Sequence, residues 1–118
     1  MSTYAEYWLW AGIARDRHGK WAIEGEWPPF LTAVRKSGLD GVERDGLRFV
    51  GISMHGENVG IGVVIHEFGW TTEIGVKNAY DPAISERARD VLERVRHIFA
   101  QEGVRARVEL YHHLDLGG

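Results

Sequence analysis

The stretch DPAISERARDVLERVRHIFAQEGVRARVELYHH, residues Asp81 to His113, decides the fold. Asp81 is a good helix N-cap, and Pro82 falls at the first helical position, where its missing N–H costs nothing. Apolar side chains then recur at Ile84, Ala88, Val91, Leu92, Val95, Ile98 and Phe99. This is the stripe of an amphipathic helix. Gly103 supplies a left-handed stop. Directly after it the period changes to two. Val104, Ala106, Val108 and Leu110 alternate with Arg105, Arg107, Glu109 and Tyr111, the pattern of a half-buried strand. A helix and a strand of this kind need a sheet to lie on.

The rest of the chain supplies strands. Tyr4 to Ala14 is apolar on both faces, with Ala5, Tyr7, Leu9, Ala11 and Ile13 on one and Tyr4, Trp8, Trp10 and Gly12 on the other. Such a strand is normally covered on both sides. Asp16-Arg17-His18-Gly19 is a turn signal, and Lys20 to Glu26 reads as the hairpin return. Trp27-Pro28-Pro29 breaks the strand and opens a short helix with Phe30, Leu31 and Val34 inward. Gly38 ends it, with Leu39 in position for a Schellman contact. Asp40 to Gly46 reads as a loop. Leu47 to Met54 and Val59 to Phe68 read as strands joined by a turn at His55-Gly56-Glu57-Asn58, with Gly69 as a break and a short strand at Thr71 to Lys77.

These elements predict one α+β domain over residues 1–118. Its antiparallel sheet of five to six strands packs on one long and one short helix. Without the hairpin return the order is βαββαβ, a ferredoxin-like core with an added N-terminal hairpin. The inner strands are then Tyr4–Ala14 and Val59–Phe68, with the last strand beside the first. A curled antiparallel sheet wrapped around the long helix is the competing arrangement.

Composition excludes several classes. A chain of 118 residues buries a real core without staples. It has no cysteine, so disulfides, thiol nucleophiles and cysteine metal sites are excluded. Nothing approaches the roughly 20 apolar residues of a membrane span, and MSTYAEYWLW lacks a signal peptide's basic start. The cytoplasm suits such a chain. A net charge of −3 argues against nucleic-acid binding by phosphate neutralisation.

No catalytic or cofactor motif rises above background. Ser2, Ser37, Ser53 and Ser85 lie outside any G-x-S-x-G turn. Gly60-x-Gly62 lacks the third glycine and the helix of a dinucleotide loop. Asp40 to Asp45 lacks the EF-hand register. His66-Glu67, His112, His113 and Asp115 end two strands and offer metal-type donors, but at no known ligand spacing; a surface histidine cluster is the plainer account. His18 and His55 sit in turns. Gly46 to Gly51 does not match the strand signature of RNA-recognition domains. No cofactor and no metal are expected.

What stands out is aromatic. Five tryptophans in so short a chain serve either a core or an interface. If Trp8 and Trp10 share the sheet face away from the helices with Arg105, Arg107, Glu109 and Tyr111, that face is a platform of hot-spot residue types. Gly60 and Gly62 offer flat backbone for an indole to cover. The alternative is that Lys20–Glu26, with Trp21 and Ile23, folds over the tryptophans. The expected function is a small protein-binding domain that occupies a partner protein's surface, as immunity proteins and inhibitors do. Glu24, Glu26, Asp40, Glu43 and Asp45 would suit a basic partner. The other reading is a dimeric ferredoxin-like enzyme or ligand binder. Its two open faces would meet around a pocket of Trp8, Trp10 and Tyr111, with His66 or His113 as acid–base group or ligand.

Overall fold

The computed structural model describes residues 4–54, 56–71 and 82–117, with side chains for 7–38, 40–54, 56–67 and 83–113. In chain order the elements are β1 (Tyr4–Ala14), β2 (Ile23–Glu24), α1 (Pro29–Ser37), β3 (Val42–Arg44), β4 (Leu47–Met54), β5 (Glu57–Thr71), α2 (Pro82–Gln101), β6 (Arg105–Ala106) and β7 (Glu109–Gly117). A five-stranded sheet runs β3-β4-β5-β1-β7, and β2 pairs with β6 separately. Every pairing is antiparallel. The architecture is therefore α+β, with both helices against one sheet face.

The helix stripe drives that packing. Ala88, Val91, Val95, Ile98 and Phe99 of α2 are buried with Ala11, Ile13, Ile61, Val63 and Ile65 of the two central strands. Phe30, Leu31 and Val34 of α1 join the same core. Phe30, Phe49 and Phe99 meet pairwise with ring centroids 5.2, 5.6 and 6.2 Å apart. Such pairs add about 0.5–1.5 kcal/mol each beyond the area they bury. The end of α2 is a Schellman motif: Val104 N–H donates to Phe99 O at 2.9 Å and Gly103 N–H to Ala100 O at 3.1 Å. Gly103 takes φ +75° to make the turn. Of the strand expected at Thr71 to Lys77, Thr71 is the last residue of β5; its other residues, the N-cap at Asp81, the turn residue His55 and the side chain of Leu39 lie outside the described residues.

Four expectations need correction. Lys20–Glu26 is not a full hairpin return. It meets β1 only where Arg15 bridges Trp21 and Ala22 N–H donates to Ala14 O, and then pairs with β6. From Gly12 onward toward Tyr4, that edge of β1 is already occupied by β7. Second, Asp40–Gly46 is not all loop. Val42–Arg44 pairs with β4 across Asp45-Gly46, whose φ angles of 51° and 78° suit a two-residue hairpin turn. Third, Gly69 does not end β5, because it pairs opposite Glu6 of β1. Fourth, the i, i+4 spacing of the outer face of α2 predicts Asp90–Arg94 and Arg89–Glu93 pairs, and the charges are arranged differently. Arg94 donates to Asp45 O at 2.6 Å, and Glu93 pairs with Arg96 at 3.2 Å. The β3–β4 turn presents Arg94 with a fixed carbonyl.

Candidate functional site

The candidate site is the sheet face away from the helices. Among the described residues no helix packs on it. Alternation along β1 sends Leu9, Ala11 and Ile13 to the helices and Trp8, Trp10 and Gly12 to this face. Trp10 is fully buried here, in a second small core with Val50 and Ile52, bordered by Ala14, Val59, Val64 and Tyr111. Its indole reaches across the sheet to Gly60. A Cβ on Gly60 would lie 2.1 Å from Trp10 Cη2, so only glycine leaves room for the ring.

The β1–β7 register places Tyr111 beside Trp10 and His113 beside Trp8. The Tyr111 ring lies 4.7 Å from the Trp10 ring, and His113 stacks on Trp10 at 5.7 Å with planes 12° apart. Three polar atoms of this layer, Trp8 Nε1, Trp10 Nε1 and His113 Nε2, are buried without a hydrogen-bond partner among the described residues. An unmet buried donor or acceptor costs on the order of 1–3 kcal/mol. Burial, and then the neighbouring His112, push the His113 pKa below its ordinary value. Burial, with the Glu109 charge adding to it, pushes the Tyr111 phenol up against an opposing effect of Arg107. Both groups are therefore held neutral at neutral pH.

The residues expected to form one platform divide. Trp8 and Tyr111 are half-buried on the face, and Glu109 is exposed opposite Gly12. Trp10 has no exposed surface and forms the floor, so it cannot itself touch a partner. Arg105 and Arg107 lie off the face, because the last strand is interrupted between Ala106 and Glu109. They line an open cleft of about 970 Å³ with Arg15, Lys20, Trp21 and Tyr111. Arg107 remains 76% exposed, 4.0 Å from Glu109. Trp21 does not cover Trp10. It meets Trp27 edge-on at 5.2 Å and packs against the helix-side core. Little apolar surface is bare: Leu110, at 37%, is the exposed large hydrophobic among the described residues. Val50 and Ile52 belong to the site and were not foreseen; Gly62 and Gly60, which lie opposite them, were the available signal, and Val64 lies opposite Trp10.

His66 and His112 both lie opposite Leu9, one on each side of β1, and Glu67 and His113 flank Trp8 in the same way. The two strand ends therefore share one end of the sheet. Each pair is separated by a strand, and the described residues contain no metal-type cluster. The acidic residues around α1 are exposed but interleaved with arginines: Glu24 lies opposite Arg105 and Glu43 opposite Arg48. No described helix is long and apolar enough to cross a membrane. Compared with known proteins, the chain matches no family, no curated protein and no solved structure.

Proposed function

We propose that this chain is a small protein-binding domain whose uncovered sheet face receives a partner protein's surface. One observation carries the reading: an aromatic layer of Trp8, Trp10, Tyr111 and His113 lies on that face with three buried polar atoms unpaired. A partner seated on the half-buried Trp8, Tyr111 and His113 would enclose this layer, with Trp10 out of reach beneath it. The domain acts by occupying that partner, in the manner of inhibitors and immunity proteins. Trp8, Val64, Tyr111 and Glu109 make the contact, and Trp10 stiffens the floor beneath. The scaffold in this reading is ferredoxin-like. Support comes from β1, α1, β4, β5, α2 and β7 in chain order and from the sheet order β4-β5-β1-β7, with β3 added at one edge.

The test is affinity between the chain and a protein recovered with it from its native cells. Trp8→Ala should weaken the complex by about 2 kcal/mol or more, as hot-spot aromatics do, and Val64→Lys should abolish it. A partner bound equally well by both variants would overturn the placement. A second reading has one observation in its favour: His113, neutral and stacked on Trp10, is placed to act as an acid–base group in a face-to-face dimer. A monomer by light scattering, or a dimer that Val64→Lys leaves intact, would end that reading.

A further inference from the structure

The outer edge of β7 is an open hydrogen-bonding surface. Its geometry follows from β1. Arg15 N–H donates to Val59 O on β5 at 2.9 Å, and Ala14 O accepts from Ala22 N–H on the opposite side. Backbone groups of successive residues point to opposite neighbours in an antiparallel ladder. Ala11 and Ile13 therefore bond β5, while Trp8, Trp10 and Gly12 bond β7. Their partners are His113, Tyr111 and Glu109. The N–H and C=O of Leu110 and His112 consequently point outward. Val108 obeys the same parity: its carbonyl accepts from Arg96 Nε at 3.0 Å. Among the described residues, Arg96 closes the edge at that point. Among the described residues no strand pairs with it further along.

Soluble proteins blunt such edges with proline, lysine or a bulge. Glu109–His113 has no proline and no lysine, and its register with β1 is unbroken. The exposed Leu110 side chain lies on this edge. We propose that β7 pairs antiparallel with β7 of a second copy, about a two-fold axis at Tyr111, so that one sheet runs through both chains.

Like-charge repulsion argues against the neighbouring register. With the axis at Tyr111, Glu109 comes opposite His113 of the second copy and Tyr111 opposite Tyr111. Leu110 and His112 then exchange backbone hydrogen bonds across the axis. Moving the axis to His112 would set Glu109 opposite Asp115, two carboxylates face to face, which is unfavourable. The contact uses the sheet edge and leaves the face free, so it stands independently of the proposed function.

Sedimentation of the full chain over a range of concentrations tests it. The mass should rise from that of one 13.4 kDa chain toward twice that value. His112→Pro removes an outward N–H and should leave a monomer at every concentration. Leu110→Lys, which keeps every backbone donor, should weaken the dimer at least tenfold while far-UV circular dichroism stays unchanged. Val64→Lys, on the face, should dimerise as the wild type does. A wild-type chain that stays monomeric throughout overturns the proposal and leaves the edge to an extended segment of another protein. So does a dimer that Leu110→Lys does not weaken.

Discussion

Gly60→Ala places a methyl group inside the space of the Trp10 ring. The added Cβ would sit 2.1 Å from Cη2 and 2.8 Å from Cζ2 and Cζ3, where ordinary contact begins at 3.4 Å. The indole therefore has to retreat by roughly 1.3 Å, the difference of 3.4 and 2.1. It is rigid and held between Val50, Ile52, Val64 and Tyr111, so the retreat compresses its neighbours. Overpacking of this kind costs about 1–3 kcal/mol. Replacing a strand glycine by alanine returns about 0.5–1 kcal/mol through the unfolded chain. Ejection of the ring sets the upper limit, since a lost buried tryptophan costs about 3–5 kcal/mol. The expected net destabilisation is about 2 kcal/mol, a fall in Tm on the order of 5–10 °C for a chain of this size. Urea unfolding followed by circular dichroism measures it. The control is the same substitution with Trp10→Leu already present, where the methyl meets no ring and the change should be neutral or slightly stabilising. The coupling between the two sites should be about 2 kcal/mol. A Gly60→Ala chain as stable as the wild type, or an undiminished penalty beside Trp10→Leu, would refute the packing argument.

The pH dependence of stability should show His113. Its folded pKa lies below its ordinary value, so the unfolded chain binds the proton more tightly. Its contribution is complete above the unfolded pKa near 6.5 and is lost as pH falls through that value toward the folded one. Urea midpoints at about pH 7.5 and about pH 5.5 should differ less for His113→Phe than for the wild type; equal differences would show that His113 does not titrate this way. In the helix-side core, Phe99→Ala removes the ring that touches both Phe30 and Phe49. It should cost about 3–5 kcal/mol in the same assay, and a loss under about 1 kcal/mol would mean that the three rings do not form one packed unit.

The helix-to-strand switch at Gly103 was legible because both periods are local. Stripe, stop and alternation lie within one contiguous stretch, and each buried position of α2 follows from it. The β3–β4 hairpin carried its own signal in Asp45-Gly46, which the surrounding charges concealed. What sequence could not supply was competition for edges. β2 turns to β6 because β7 has taken the neighbouring edge of β1, and β7 lies about a hundred residues further along the chain. The platform divided for the same kind of reason. Alternation puts Arg105, Arg107 and Tyr111 on one face of a continuous strand, but the strand is interrupted and the arginines go to the cleft. For Trp10 the face was legible and the exposure was not. Gly60 offered bare backbone, and the indole used it to bury itself; at Gly62 it is the β1 backbone of Ala11 and Gly12 that comes close.

The position of β1 has a kinetic consequence. It precedes the other described strands and lies in the sheet interior, between β5 and β7. Neither neighbour is close in sequence, and β7 follows the other described strands. Local hairpins such as β3–β4 and β4–β5 can close early, but β1 gains its ladders only through long loops. Contacts of such separation slow folding, and unpaired apolar strands are where partly folded chains associate. The segment Tyr7–Ile13, apolar on both faces, is therefore the part of this chain most dependent on prompt closure of the sheet.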